Sequence, residues 1–209
     1  MSKNIAVTIA RQYGSGGREV GEKLADILGF KYVDKEFVTL SAQKIGYDIK
    51  VLSDVDEKAT SSLLYTLAMG SSMFGVPHTN YHVNVPINDK LFSVQSDIIR
   101  ELSEKEPCVF VGRCADYVLR DDPNRISVFI YADMECRIKR VSDEHGINEI
   151  EAKNLISKTD KRRMSYYNFY TGNKWGNYEN YDISINTSVL GIEKTAELLA
   201  NLVSKYDKK

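Results

Sequence analysis

The chain has 209 residues, 43% hydrophobic and 27% charged, with 4 Pro and 13 Gly. That balance excludes disordered and low-complexity classes. Its 28 Lys and Arg against 29 Asp and Glu leave a net charge of −1, which argues against broad nucleic-acid affinity and makes any anion site a local one. The length fits one domain at roughly 100–200 residues per domain, enough to bury a core without metal or disulfide support. Three cysteines, Cys108, Cys114 and Cys136, include no C-x-x-C pair and indicate neither a disulfide framework nor a zinc site. The opening MSKNIAVTIARQYGSGG lacks the longer apolar core of a signal peptide, and no stretch approaches the roughly 18 apolar residues of a membrane helix. The expectation is a soluble, cytoplasmic protein with no membrane or nucleic-acid partner; a homo-oligomer stays open.

Residues 5–10 (IAVTIA) are a short apolar run that meets the glycine-rich residues 14–17, the pattern of a buried strand. Beyond them Val20, Leu24, Ile27 and Leu28 recur at i, i+4, i+7 and i+8, one apolar stripe on a helix that Gly29 can close. Residues 30–33 (FKYV) read as a second strand, and a β-loop-α-β unit of this size implies parallel strands. Helices are expected over 36–46 and 53–69, the latter opened by Ser53 and Asp56 in a capping-box pattern. Residues 70–88, with Gly, Pro and Asn and no period, read as a loop.

Leu91, Val94, Ile98 and Leu102 mark a further helix. It leads to a third strand at 108–111, which ends at Gly112-Arg113. A fourth strand at 126–131 (ISVFIY) precedes a helix at 133–141 and a long polar helix over about 148–165. An aromatic tract at 164–181, whose Gly and Asn residues indicate a loop, leads to a fifth strand at 182–185 and a last helix bearing Ile192, Ala196, Leu199 and Val203.

Strands alternating with helices predict an α/β fold, three layers α/β/α around a five-stranded, mainly parallel sheet. One domain spanning 1–209 is expected, with an insertion at about 36–90 and a segment at about 142–181 able to act as a lid. Ligands of such sheets bind beyond the carboxyl ends of the strands, so the residues that follow each strand are the candidates.

Between the first strand and helix stands Arg11-Gln12-Tyr13-Gly14-Ser15-Gly16-Gly17-Arg18-Glu19. Three glycines in four residues let backbone N–H groups converge, and the helix start adds free N–H groups and a positive dipole end, which together suit a phosphate. The standard phosphate loop reads G-x-x-x-x-G-K-[ST]. Counted without a gap, Arg11 takes its first glycine, Gly16 its second, Gly17 its lysine and Arg18 its hydroxyl; one extra loop residue would put Arg18 at the lysine. Neither register supplies Lys or the magnesium-contacting Ser/Thr. Arg18 can replace the charge. Glu19 can hold magnesium through water or form a salt bridge at the helix start. The competing reading is a tight turn whose glycines only let helix and strand pack.

Four stretches, IARQYGSGGREVGEKLADILGFKYVDKE, CVFVGRCADYVL, ISVFIYAD–CRIKRV and ISIN–GIEKT, together resemble the cytidylate-kinase-like family. This is a branch of P-loop nucleoside monophosphate kinases with an RQYGSGG-type loop. The resemblance covers nearly the whole chain and implies a P-loop kinase-like fold, ATP with Mg2+ held mainly through phosphates and water, small nucleotide substrates, and no dedicated metal site. It implies that Arg11, Gly14, Ser15, Gly16, Gly17, Arg18 and Glu19 meet the donor phosphates. Asp34, Arg113, Asp116 and Asn186 would meet the acceptor, although Lys35-Glu36 stand where cytidylate kinases have Ser-Gly. Asp116 comes two residues later than the family's aspartate, and Asn186 replaces another aspartate. Arg137, Arg140, Arg162 and Arg163, with Arg18, would neutralise the transferring phosphoryl group, the 36–90 insertion would bind the acceptor, and the 142–181 segment would be the lid.

Arginines from separate segments suit phosphoryl transfer, which asks for alignment, charge neutralisation and exclusion of water. On an exposed helix face the same residues would be solvated or paired, worth a few tenths of a kcal/mol. The aromatic tract fits a lid stacking on a base, and equally a packed minicore or a subunit interface. His78 and His82 sit among turn residues unsuited to a metal helix, and the cysteines read as inert thiols. The expected activity is phosphoryl transfer from ATP to a nucleoside monophosphate, CMP or dCMP first. The alternatives are a nucleotide- or anion-binding module without transfer, and a small-molecule kinase with another acceptor.

Overall fold

A computed structural model describes residues 4–34, 37 and 87–206. In chain order they form β1 (Ala6–Arg11), α1 (Gly17–Leu28), β2 (Lys31–Val33), α2 (Ile87–Lys105), β3 (Cys108–Val111), α3 (Ala115–Val118), β4 (Arg125–Tyr131), α4 (Met134–His145), α5 (Glu149–Thr171), β5 (Ile183–Asn186) and α6 (Thr187–Ser204). The helices expected at 36–46 and 53–69, the loop at 70–88, His78, His82 and nearly all of the 36–90 insertion lie outside the described residues.

The five strands are all parallel, in the order β2-β3-β1-β4-β5. Residues 6–9 of β1 are flanked on both sides, Val7 by Val109 and by Ile126. Both faces are covered, which is why β1 reads as a continuous apolar run rather than an alternation. On one face Val7, Ile9, Val111 and Ile130 pack with Val20 and Leu24 of α1 and with Ala196, Leu199 and Val203 of α6. On the other, Ala6, Val33 and Phe110 pack with Ile99 of α2 and with Ala115 and Val118 of α3. Fully burying a side chain such as Leu24 stabilises by about 1.5–3 kcal/mol. Helix α1 stops at Gly29, whose φ of 65° lets its N–H reach the carbonyls of Ala25 and Asp26.

From β1 the chain crosses over β3 to reach β2, and from β3 it crosses back over β1 to reach β4, so the sheet's switch point lies at the carboxyl ends of the adjacent strands β1 and β3. The loop 12–16 starts there. Helices α4 and α5 pack on each other through Val141, Ala152 and Ile156, and Tyr13 of the loop packs against that cluster.

Helix α5 departs from expectation. It opens on a reciprocal capping box, Asn148 Oδ1 accepting from the Glu151 amide (2.9 Å) and Glu151 Oε2 from the Asn148 amide (3.2 Å). It then runs through the first half of the aromatic tract to Thr171, where a loop was expected, and ends at Gly172 with φ 70°. The aromatics themselves favour the helix: Tyr166 and Tyr170, at i and i+4, have ring centroids 4.7 Å apart, and Tyr170 stacks on Phe92 of α2 at 4.3 Å. Trp175 and Tyr181 close on Phe129 of β4 at 5.6 and 4.9 Å. This is a packed minicore joining α5 to α2 and the sheet.

Candidate active site

The loop after β1 is shaped by what holds its carbonyls. Gly14 and Gly16 have φ of 73° and 77°, a region that only glycine enters without strain. Tyr13 O accepts from Arg137 Nε (2.7 Å), Gly14 O from Arg140 Nη1, and Ser15 O from Thr187 Oγ1 (2.6 Å). In a planar trans peptide the next N–H points opposite its carbonyl. Anchoring the Tyr13 and Ser15 carbonyls therefore turns the Gly14 and Gly16 amides away from those anchors. The Tyr13 amide is held by Asp160 Oδ1 (2.8 Å), and buried Ser15 donates its hydroxyl to Gln12 O (2.9 Å). Among the described residues, the amides of Gly14, Gly16, Gly17 and Glu19 have no hydrogen-bond partner. These residues line a cleft of about 380 Å³ together with Arg11, Arg18, Asp34, Arg140, Arg162 and Arg163. A helix start with free amides, inside a cation-lined cleft, is chemically suited to an anion.

The arginines named from sequence divide into two groups. Arg137 is 3% exposed, and its guanidinium bonds Tyr13 O and Asp160 Oδ2. Expected to meet the transferring phosphoryl group, it holds the loop through these bonds and does not line the cleft. Arg140 also holds the loop, through Gly14 O, but lines the cleft as well. Arg162 and Arg163 reach the cleft from α5; Arg163 Nη1 donates to Arg11 O (3.1 Å), and its guanidinium lies 5.4 Å from the centre of the Tyr13 ring. Arg18 pairs with Asp34 across the cleft mouth at 3.4 Å with its side chain 61% exposed, a geometry worth at most about 1 kcal/mol. Glu19 lies in the first turn of α1 and lines the same cleft.

A second cavity of about 50 Å³ adjoins the first and shares Arg11, Val111 and Arg163 with it. It lies beyond β3, where Gly112, Arg113 and Cys114 are successively left-handed, with φ of 82°, 59° and 53°. A non-glycine residue there costs about 1–3 kcal/mol, the kind of strain retained where a side chain must be aimed. Arg113 lines the cavity beside Asp116, Tyr166, Tyr167 and Trp175. Asp116 is buried and accepts from the Tyr167 hydroxyl (2.7 Å). Burial pushes its carboxyl above the usual range, and the Tyr167 hydrogen bond opposes this. Burial also raises the phenols of Tyr166 and Tyr167, the latter further because Asp116 is beside it. Asn186 lines neither cavity. Its side chain caps α6 through the Ser188 amide (2.9 Å) and donates to Asp133 Oδ1 (3.0 Å).

Sequence reasoning missed Tyr13, Asp160 and Thr187. Asp160 sits in a run of charges, KTDKRR, that looks like a solvated helix face. Thr187 looks like an ordinary helix-start residue. Nothing local marks either one, because their partners are 147 and 172 residues away.

A parallel sheet with helices on both sides and an amide-lined loop at its switch point define a P-loop kinase fold. Shikimate kinase from Bacteroides thetaiotaomicron shares that fold: TM-score 0.54, 11% identity, covering 96% of this chain and 98% of that one. The sequence pattern of the cytidylate kinase-like family matches residues 6–189, and the chain belongs to that family. Cytidylate kinase from Thermoplasma volcanium is 24% identical over 205 residues, 97% of this chain and 93% of the relative. An uncharacterized protein from Eubacterium ventriosum superimposes with a TM-score of 0.71 at 29% identity, covering 97% of this chain and all of the other.

Proposed function

We propose that the chain transfers a phosphoryl group from ATP to a nucleoside monophosphate, with CMP or dCMP the first acceptors to test. The observation that carries this reading is the set of amides at Gly14, Gly16, Gly17 and Glu19, without a partner among the described residues, in a cleft that opens beside a second, arginine-lined cavity. The amides, with Ser15 buried beneath them, would hold the donor phosphates. Arg113 would hold the acceptor phosphate, Arg18, Arg140, Arg162 and Arg163 would neutralise charge between the two anions, and α5 would exclude water. Asp34 would orient the acceptor from the far side of the cleft. The adjacent Asp116 would support Arg113 and the tyrosines; Asn186 would act only by shaping the start of α6. Magnesium bridges phosphate oxygens and neutralises developing charge in reactions of this type. The ion would be held mainly through phosphates and water, with Glu19 and Asp34 among the carboxylates that line the cleft.

The test is purified protein with MgATP and a panel of monophosphates, followed by ADP release. Turnover above that of an Arg18→Ala, Arg113→Ala double variant supports transfer; none rejects it. One observation favours a second reading, a nucleotide-binding module: Gly17-Arg18-Glu19 stand where the standard loop carries lysine and hydroxyl. Saturable nucleotide binding by calorimetry with no transfer to any monophosphate or small alcohol would establish that reading. Among the described residues no helix is long and apolar enough to cross a membrane.

A further inference from the structure

The residue that replaces the missing lysine can be identified from how Gly17 and Gly112 are packed. A Cβ built on Gly17 would lie 2.5 Å from Arg11 Cβ and 2.9 Å from Arg11 Cγ. The volume that a side chain at position 17 would enter is therefore filled by the aliphatic stem of Arg11. At its other end, the Arg11 guanidinium lies against Gly112, where a Cβ would collide with Nη1 and sit 3.0 Å from Cζ. The stem thus runs over the helix start and the head reaches the end of β3. Among the described residues, Arg11 and Arg163 are the arginines that line both cavities.

We propose that Arg11, the last residue of β1, supplies the cation that the lysine of a standard phosphate loop supplies from the start of the helix. This rests on the donor site proposed above and names the residue that completes it. In the standard loop the lysine reaches the β- and γ-phosphates. Here the charge comes from the strand, and both glycines it touches must stay bare: Gly17 to leave room for the stem, Gly112 to leave room for the head. A guanidinium adds two donor edges to the charge, so one side chain can face the donor phosphates in the large cleft and an anion in the small cavity. The absence of lysine is then a relocation of the charge.

The relocation can be reversed. Substituting Arg11→Gly with Gly17→Lys turns RQYGSGG into GQYGSGK, which has the G-x-x-x-x-G-K spacing. Calorimetry with MgATP, and with AMP as a one-phosphate control, reads the effect without requiring turnover. R11G should weaken MgATP binding roughly ten- to hundredfold, the worth of a charged hydrogen bond, and leave AMP within about twofold. R11G/G17K should regain most of that loss, whereas G17K alone, with Arg11 present, should bind no better than R11G. Wild-type MgATP affinity in R11G, or a double variant as weak as R11G, overturns the assignment. If the double variant fails a thermal-melt check, R11K decides the point, because it keeps the charge on the same stem. Affinity well above R11G supports the proposal; affinity equal to R11G overturns it. Tight MgATP binding without phosphotransfer would reject the reaction proposed above and leave the role of Arg11 intact, while a wild type that fails to bind MgATP would reject both.

Discussion

Asp160 joins the long helix α5 to the phosphate loop, and removing it is the most direct test of how the loop is held. Its two carboxylate oxygens accept from the Tyr13 amide (2.8 Å) and from Arg137 Nη2. The side chain of Arg137 is 4% exposed and that of Asp160 16%, so Asp160→Ala strands a guanidinium that water barely reaches. Breaking a buried pair by deleting one partner costs about 3–5 kcal/mol. The residual exposure of Asp160 puts the expected loss near the lower end, about 3 kcal/mol. For a chain of this size that is a fall in Tm of roughly 6–12 °C. Asp160→Asn keeps an acceptor for the Tyr13 amide and should lose about half as much. The loop amides should lose their arrangement along with the Tyr13 anchor, so nucleotide affinity should fall in Asp160→Ala even at temperatures where the variant is fully folded. Urea titrations of Asp160→Ala, Arg137→Ala and the double variant give the coupling between the two side chains, expected above about 1 kcal/mol. A coupling below about 0.5 kcal/mol, or a folded Asp160→Ala that binds nucleotide like the wild type, would refute the clamp.

Burial raises the carboxyl of Asp116, so the folded chain holds that proton more tightly than the unfolded chain does. Its contribution is therefore fully present below about pH 4 and is lost as pH rises through the folded value. Asp116→Asn should remove that part of the pH dependence, a slope of up to about 1.4 kcal/mol per pH unit, and unchanged slopes in urea titrations from pH 4 upward would contradict it. Thiol labelling of the native protein should modify Cys136, which is exposed, and spare Cys108 and Cys114, which are buried; burial pushes the Cys108 thiol up to about 12 and that of Cys114 higher still. Three labels in the native state at the rate seen in denaturant would be the contrary result. Asn148→Ala removes the cap of α5 and should cost about 1 kcal/mol, read as a lower urea midpoint with unchanged slope.

The order of the five strands along the chain, their parallel pairing and the place of the loop were legible from local patterns, whereas the short helix α3 was not. A buried strand shows as an apolar run, a helix as a stripe at 3.6-residue spacing, and the glycines of the loop mark positions that the backbone visits at positive φ. The second half of α5 was not legible. Residues 166–171 look like loop when their Gly and Asn neighbours are averaged in, and only the stacking of Tyr170 on Phe92, 78 residues earlier, reveals what the aromatics are for. The same holds at the site. That arginines gather there was readable, because strand ends are identifiable and carry them. Which arginines face the cleft and which hold the loop depends on partners in other segments: Asp160 and Tyr13 for Arg137, Gly112 for the head of Arg11. Periodicity records which side of an element meets the core. It carries no record of which distant backbone a long, flexible cation will reach, since that depends on how the packed layers bring separate segments within a few ångströms.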